Sequence, residues 1–141
     1  MKLVLDDGAF VPTRAHAHDA GLDLYTPYDF TVPAKGSEVV DTGVHLEIPA
    51  NKDGVCYVGF VKSKSGLMVN EDIITDGTVD AEYTGAIKVK LFNHGYDDKH
   101  FFRGQKIAQI VILPIITPEL ELVDSLEDTE RGTGGFGSTG K

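Results

Sequence analysis

Short runs in which apolar and polar residues alternate recur along this chain, and they constrain its fold more than any other feature. Residues 44–48 and 87–91 alternate strictly, and 58–60 belong to a third run of this kind. A period of two residues is typical of half-buried β-strands. Residues 107–116 are nearly all apolar and predict a fully buried strand that ends at a proline-containing turn, whereas 65–70 predict one short helix. Many short strands joined by turns predict an all-β sandwich or barrel.

Size and charge limit the classes of function that the chain can have. Its 141 residues make one domain, and hydrophobic and charged contents of 41% and 25% are typical of soluble globular proteins. The formal charge of −9 leaves no basic surplus for a nucleic-acid backbone, and no apolar run indicates a signal peptide or a membrane span. The single cysteine, Cys56, excludes an internal disulfide and is typical of a reducing compartment. We therefore expect a cytoplasmic protein, in the host-cell cytoplasm if its source is a virus.

The last eleven residues, RGTGGFGSTGK, contain the spacing GxxxxGK that is typical of phosphate loops. A phosphate loop also needs a preceding strand and a following helix whose amides hold the phosphates, and the sequence stops at Lys141. We therefore do not expect a phosphate-loop ATPase. The residues before this tail are strongly acidic, so we divide the chain into a β-domain, residues 1–117, and an extended arm, residues 118–141.

Two short stretches hold groups that suit an anion or a metal. Asp23 lies between two leucines, which points its carboxylate away from the core, although a turn aspartate is the plainer interpretation. His16, His18 and Asp19 form a cluster with metal-ligand chemistry, but neighbouring loop histidines are more often solvated. The Lys-Ser-Gly at 64–66 opens the predicted helix and offers a cation, a hydroxyl and amides to one anion.

The stretch 76–95 places an aspartate between two strand-like pieces and predicts a β-hairpin or a tight loop. The backbone of such a hairpin can read the edge of a nucleobase, and Asp80 beside it is a candidate general base. The alternative is an ordinary hairpin with polar turn residues. Gln109 interrupts the buried strand and either is bonded structurally or lines a site. The groups of the tail suit a nucleotide with a phosphate chain, unless the tail is a disordered terminus.

Taken in order, five stretches closely resemble the five motifs of the trimeric deoxyuridine triphosphatases (dUTPases). They are AGLDL at 20–24, SGL at 65–67, GTVDAEYTG at 77–85, GQKIAQ at 104–109 and RGTGGFGSTG at 131–140. The third and fifth motifs together are highly specific. The resemblance implies a jelly-roll-like β-barrel with an extended C-terminal arm, assembled as a homotrimer whose active sites lie between subunits. One subunit would give a site the first, second and fourth motifs, another the hairpin, and the third its arm.

The resemblance also implies the reaction, which is Mg²⁺-dependent hydrolysis of dUTP to dUMP and pyrophosphate. This reaction keeps uracil out of DNA and supplies dUMP for dTMP synthesis. Asp80 would be the general base that activates the water attacking the α-phosphorus. The Mg²⁺ would be held mainly by the substrate phosphates and by water, without direct protein ligands. Asp23 would support the site and the water shell of the ion, and Lys106 would support the site.

The other roles implied by the resemblance divide between the nucleoside and the phosphates. Uracil and deoxyribose would bind the hairpin and the tail aromatic, at Gly77, Thr78, Val79, Tyr83, Gly85, Ile87 and Phe136. The phosphates would bind Lys64, Ser65, Gly66, Gln109, Arg131, Gly135, Gly137, Ser138 and Thr139. Lys64 and Lys106 stand where the family usually has arginine, so the two-pronged contacts of a guanidinium would be lost there.

Two other functions remain open. A dCTP deaminase resembles the same barrel but uses a glutamate near the base, and the pair Asp80 and Tyr83 with the complete fifth motif argues against it. A regulatory protein can keep this scaffold and act by docking to an unknown protein partner, and intact catalytic groups leave that as an added role. We expect neither a nucleic-acid nor a membrane partner.

Overall fold

The structure is a computed structural model that describes residues 1–51 and 55–135. The described residues form β-strands and one short helix, so the all-β prediction is confirmed. In chain order the strands are β1 (Lys2–Leu5), β2 (Gly21–Tyr25), β3 (Phe30–Val32), β4 (Ser37–Asp41), β5 (Val44–Glu47), β6 (Cys56–Lys62), β7 (Ile73–Ile74), β8 (Asp76–Val79), β9 (Lys88–Asn93), β10 (Lys99–Phe101) and β11 (Lys106–Ile115). The helix α1 (Ser65–Glu71) forms where residues 65–70 predicted one.

The described strands pair in four antiparallel sheets that share one core. The largest sheet has the order β2-β11-β6-β8, a second has the order β4-β9-β7, and two ribbons join β1 with β5 and β3 with β10. All four sheets send apolar side chains inward, which couples them although their backbones are not joined in one ladder. Closure of a barrel stays a prediction. The buried core consists of Leu24, Val32, Val40, Val44, Leu46, Ile48, Val61, Ile73, Val79, Ile87, Val89, Leu91, Phe101, Ile107, Ala108 and Ile110.

The alternating runs of the sequence are strands with one buried face. In β5, Val44 and Leu46 are buried while Glu47 is exposed. In β9, Val89, Leu91 and Asn93 are buried, whereas Lys88, Lys90 and Phe92 are exposed. These predictions are confirmed, because a strand presents successive side chains to opposite faces.

The strand β11 departs from the prediction over its second half. The first half lies between β2 and β6 and is largely buried, but Leu113 is 43% exposed and Ile115 is 36% exposed. The reason is that β2 pairs with β11 only as far as Val111, so β6 is the one described neighbour beyond that point. A fully buried strand was therefore the wrong prediction for this half. Pro114 lies inside the strand opposite Tyr57 of β6, in the half that has one described neighbour, and such edge positions tolerate proline.

Of the two forms predicted for 76–95, the β-hairpin is wrong, because its two strands belong to different sheets. The segment β7–β8 changes sheet along its length. Ile74 pairs with Phe92 of β9, whereas Asp76 already pairs with Lys62 of β6. The change falls at Thr75, and from there β8 and the first residues of β9 diverge without a ladder between them in the described structure.

The hydroxyl of Ser63 holds the point where the segment changes sheet. It accepts a hydrogen bond from the N–H of Thr75 at 2.8 Å and donates one to the carbonyl oxygen of Thr75 at 2.9 Å. A buried backbone group without a partner costs about 1–3 kcal/mol, so the change of sheet needs substitute partners. One side chain supplies both for the buried Thr75.

The helix α1 is capped at its C-terminus by Asp72, which has a φ of 55° and donates its N–H to the carbonyl oxygen of Leu67. Asp tolerates this left-handed conformation better than most residues. Across the described residues, no helix combines the length and the apolar character that a membrane crossing requires.

Residues 116–135 contain no described helix or strand after β11. Their side chains are almost all exposed, and those of Leu120 and Leu122 are 97% and 100% exposed in the single chain. The division into a β-domain of residues 1–117 and an arm of residues 118–141 stays a prediction.

Candidate active site

A buried carboxylate with two lysines lies at one end of the large sheet. Asp23 in β2 pairs through Oδ1 with the ammonium group of Lys64, which precedes α1, and through Oδ2 with that of Lys106 in β11 at 2.7 Å. The Asp23 side chain is only 8% exposed. The three residues lie far apart in the sequence, and the fold brings them into one charged cluster.

Gln109 connects this cluster to the sheet-change point. It lies opposite Asp23 in the β2–β11 register, and its Nε2 donates to the carbonyl oxygen of Ser63 at 3.1 Å. Gly21 makes room for it, because a Cβ at that position would collide with the Gln109 side chain. The Gln109 amide therefore has a structural partner, and it also borders the charged cluster.

Opposing effects set the pKa of Asp23. Burial of the carboxyl disfavours its charged form, but the hydrogen bonds and charges of Lys106 and Lys64 outweigh that effect and lower the pKa from its ordinary value of 3.8. The Asp23 carboxylate in turn raises the pKa of Lys106 above 10.5. The Asp23–Lys106 pair is therefore charged at neutral pH.

The first turn of α1 adds open backbone to the cluster. Ser65 and Gly66 follow directly on Lys64, and both are exposed. A Cβ at Gly66 would meet nothing within 4 Å, so an incoming group can approach the backbone there without a clash. Asp23, Lys64, Ser65, Gly66, Lys106 and Gln109, predicted as phosphate-binding or supporting residues, are brought together at this end of the sheet.

A cleft of about 300 Å³ lies between β8 and β9. It brings together five of the residues predicted to bind the nucleoside or to catalyse. The cleft is lined by Thr78, Val79, Asp80, Tyr83, Ala86, Ile87 and Lys88. Gly77, which pairs with Val61 in β6, lies one residue before this lining.

The loop between the two strands carries the aromatic wall of the cleft. The hydroxyl of Tyr83 donates to the carbonyl oxygen of Ala86 at 3.3 Å, and the Tyr83 N–H donates to that of Asp80 at 3.3 Å. A Cβ at position 85 would collide with the Tyr83 hydroxyl, so Gly85 is the residue that lets this ring lie over the loop. Asp80 itself is exposed at the end of β8.

The charged cluster and the cleft lie at opposite ends of the β6–β8 pair. Asp76 pairs with Lys62 at the cluster end, and Val79 pairs with Gly59 at the other. Asp80 is four residues beyond Asp76, which is about 13 Å along a strand. No hydrogen bond or ion pair joins the two groups within the described residues.

Some predicted residues cannot be assigned to either group. Arg131 is exposed and donates from Nε to the carbonyl oxygen of Gly134 at 3.0 Å, and Gly135 has open space around its Cα. Neither residue makes a described contact with the cluster or with the cleft. The predicted residues Phe136, Gly137, Ser138 and Thr139 lie outside the described residues.

Sequence reasoning missed three residues of these sites. Lys88 and Ala86 line the cleft, and Ser63 holds the sheet change. Lys88 is an exposed position of an alternating strand, so the pattern indicated only a solvated lysine. Ala86 follows the predicted site residue Gly85, so its place in the cleft could have been inferred from the sequence. Nothing in the sequence around Ser63 indicates its role.

The histidine cluster near the first motif closes a loop. The N–H of His16 donates to Oδ2 of Asp19 at 2.9 Å, and His16 Nδ1 lies 3.3 Å from the same oxygen. In the part of the chain that the structure describes, no group of three or more His, Cys, Asp or Glu side chains is arranged to hold a metal ion.

Comparisons with known proteins agree with this geometry. The family model for dUTPase matches residues 7–140. The deoxyuridine 5'-triphosphate nucleotidohydrolase of Gloeothece citriformis is 44% identical over 139 residues, which are 96% of this chain and 92% of the relative. The structure of the Staphylococcus bacteriophage 80alpha dUTPase with dUpNHpp has a TM-score of 0.90 and 29% identity, covering 99% of this chain and 98% of that one. A mutant dUTPase of S. aureus phage phi11, described with a coordinated structural Mg(II) ion, has a TM-score of 0.80 and 26% identity, with coverages of 90% and 98%.

We expect Asp23→Asn to lower the free energy of unfolding at neutral pH by about 1–3 kcal/mol, because two ammonium groups lose the carboxylate between them. The folded-state pKa of Asp23 is below that of the unfolded chain, so its contribution is present above pH 3.8 and is lost as the pH falls through the folded pKa. Chemical denaturation across this pH range measures the effect.

The matched control is Asp76→Asn, which breaks an exposed ion pair with Lys62 and should cost about 0–1 kcal/mol. A deficit in Asp23→Asn that persisted unchanged in acid would contradict the role of its charge.

Proposed function

The chain belongs to the dUTPase family, and from that premise we propose that it hydrolyses dUTP to dUMP and pyrophosphate in a site completed by other copies of the chain. The observation that carries the proposal is the cleft between β8 and β9. There, unpaired strand edges, the Asp80 carboxylate and the Tyr83 ring meet in one place. This reaction would keep uracil out of DNA and supply dUMP for dTMP synthesis.

The unpaired strand edges suit recognition of a base. On the side away from β6, the N–H and carbonyl groups of β8 lack a strand partner among the described residues, and β9 has the same property opposite it. Uracil offers acceptor and donor groups that such edges can bind, whereas cytosine presents the reversed order. The limited volume of the cleft would exclude the methyl group of thymine.

Tyr83 would select the sugar. Its ring is fixed over Gly85 at the mouth of the cleft, where it would pack under a deoxyribose. A ribose would bring a 2′-hydroxyl against this ring, and a buried hydroxyl without a partner costs about 1–3 kcal/mol. The two contacts together would give selectivity for dUTP over both dTTP and UTP.

Asp80 would act as the general base. Its exposed carboxylate at the end of β8 can accept a proton from a water molecule as the water oxygen attacks the α-phosphorus. The bond from the α-phosphorus to the bridging oxygen then breaks, and that oxygen leaves with the pyrophosphate. The proton remains on the carboxylate until solvent removes it.

The charged cluster at the other end of the sheet would bind phosphate. Lys64 already pairs with Asp23, so it would bring a partly neutralised charge, while Ser65 and Gly66 offer a hydroxyl and open backbone. Gln109 would assist there. From the arm, Arg131, Gly135, Gly137, Ser138 and Thr139 would cover the terminal phosphate, and Phe136 would stack on uracil.

Mg²⁺ would arrive as part of the substrate complex. The described residues offer no ready-made group of metal ligands, and both oxygens of Asp23 are engaged by lysines. This donor set fits an ion that keeps its waters and binds through phosphates, and such an ion offsets the triphosphate charge in a protein of net charge −9. Asp23 would then act on the water shell only.

More than one copy of the chain would build each site. Within one chain, the cleft and the charged cluster lie at opposite ends of β8, about 13 Å apart along the strand, whereas base, water and phosphate contacts would have to meet at one α-phosphate. A homotrimer in which one copy gives the cleft, another gives the cluster and the third gives its arm would bring them together. The exposed second half of β11 offers apolar surface for such an assembly.

The direct test is pyrophosphate release from dUTP, dCTP, dTTP and UTP, each with Mg²⁺ and with a chelator. We expect release from dUTP alone, and loss of release with the chelator. Ammonia from dCTP would favour a deaminase, and no turnover of any of the four would favour a regulatory scaffold that docks to a protein partner.

Asp80→Asn should lower kcat for dUTP about 10²–10⁴-fold, with KM little changed, because the amide cannot accept the proton of the attacking water. Steady-state kinetics measure both constants. Asp76→Asn, four residues earlier on β8, is the control and should keep near-normal turnover. Near-normal turnover in Asp80→Asn would show that another group is the base.

Sharing of sites between copies can be tested by complementation. Asp80→Asn and a chain that lacks residues 131–141 should each be nearly inactive alone. Random trimers of the two should recover about a quarter of wild-type activity, because half of the sites receive an intact Asp80 and half of those receive an arm. No recovery in verified mixed trimers would mean that arm and base come from the same chain.

A further inference from the structure

We propose that His45 is a positioning residue for this reaction, and that it holds the loop between Asp80 and Ile87 through the carbonyl oxygen of Thr84. The inference rests on the proposed function, because this loop carries the base and the aromatic wall of the substrate cleft. His45 lies on β5, outside the cleft, and it touches neither the cluster nor the predicted substrate contacts.

The contact joins two segments that are far apart in the sequence. Nδ1 of His45 lies 2.7 Å from the carbonyl oxygen of Thr84, so Nδ1 must carry the proton and donate it. Thr84 stands between Tyr83 and Gly85, and the Tyr83 ring lies against Gly85. A shift of the Thr84 carbonyl therefore moves the backbone on which the aromatic wall is fixed.

The strand β5 and the residue after it anchor the whole loop. The N–H of Ile87 donates to the carbonyl oxygen of Val44 at 2.9 Å, and the N–H of Glu82 donates to that of Ile48 at 3.1 Å. Glu82 has a φ of 64°, which non-glycine residues seldom adopt, so the loop needs external support at this point. The backbone bonds fix the two flanks, and His45 reaches the middle of the loop with a side chain.

Acidic groups face the other side of the imidazole. Nε2 lies 3.3 Å from Oδ1 of Asp6, which follows β1, and Asp41 at the end of β4 adds a more distant negative charge. Lys2 and Glu47 line the apolar cleft of about 330 Å³ beside His45, and they pair with each other at 2.9 Å. The net surroundings of His45 are negative.

These contacts favour the protonated imidazole. The Thr84 carbonyl, followed by Asp6, raises the pKa of His45 above 6.5, and burial opposes them without reversing the direction. Below pH 6.5 the ring is charged, its Nδ1–H donates to the Thr84 carbonyl oxygen and its Nε2 faces the Asp6 carboxylate, so the tether is complete. As the pH rises through the higher folded-state pKa, the ring loses its charge and divides between two tautomers, of which only the one protonated at Nδ1 keeps the bond to Thr84.

The consequence for the reaction is a KM for dUTP that rises with pH as the loop loosens. The ionisation of dUTP itself also changes KM, so the informative quantity is the ratio of variant to wild-type KM at each pH. His45→Gln keeps a donor for Thr84 but never carries a charge. Its KM ratio should be about fivefold at pH below the His45 pKa and should approach one above it.

Three further variants make the test specific. His45→Ala should raise KM at every pH with a smaller change in kcat, because it removes the donor altogether. Asp6→Asn should move the pH dependence to lower pH. His100→Gln, a histidine bonded to Thr31 on a distant ribbon, should match the wild type throughout. Ratios for His45→Gln that do not vary with pH, or a midpoint unmoved by Asp6→Asn, would overturn the proposal.

A spectroscopic measurement separates this proposal from the proposed function. In NMR titrations of the unliganded protein, the amide signals of Thr84 and Gly85 should titrate with the same pKa as the His45 ring. If dUTP is not hydrolysed but these signals titrate together, the function fails and the tether stands. If dUTP is hydrolysed but the amide signals do not change as His45 titrates, the proposed role of His45 is wrong and the proposed function stands.

Discussion

The pair of hydrogen bonds between the Ser63 hydroxyl and the backbone of Thr75 is the interaction on which the rest of the site depends. It allows the segment β7–β8 to stop pairing with β9 and start pairing with β6 while its buried N–H and carbonyl groups keep hydrogen-bond partners. The gap that opens beyond Thr75 is the cleft that holds Asp80 and Tyr83. The backbone carbonyl oxygen of the same serine accepts a hydrogen bond from the Gln109 side chain. Ser63 therefore fixes the cleft through its hydroxyl and the charged cluster through its carbonyl oxygen.

The charged cluster shows how a protein of net charge −9 can prepare a place for an anion. Two lysines converge on one buried aspartate, so their ammonium groups are held in position without a ligand. An incoming phosphate would compete with Asp23 for these cations, which weakens binding but keeps the lysines ordered. A lysine is suited to such sharing, because its ammonium group donates in three directions.

The local sequence pattern predicted the strands that have one solvent-exposed face. It could not predict the features that depend on pairing between distant segments. The alternation in β5 and β9 involves residues that are adjacent in the sequence, so these strands could be predicted from the sequence alone. The exposed half of β11 depends on where β2 stops, and the divergence of β8 from β9 depends on Ser63, a dozen residues upstream. The motifs named Asp23, Lys64 and Lys106 separately, but their pairing spans 41 residues in one case and was not visible. His45 looked like the solvent side of a strand, because its partner lies 39 residues away.

The divergence of β8 and β9 also bears on how the protein avoids self-association. Open strand edges are templates on which foreign strands can add, and proteins usually cover, charge or shorten them. Here two such edges face each other across about 300 Å³, which is at the small end of ligand pockets and far less than a pleated strand with its side chains occupies. The edges are therefore accessible to a flat ring but closed to another polypeptide. The geometry that would read a nucleobase thus also keeps these two edges from pairing with a foreign strand.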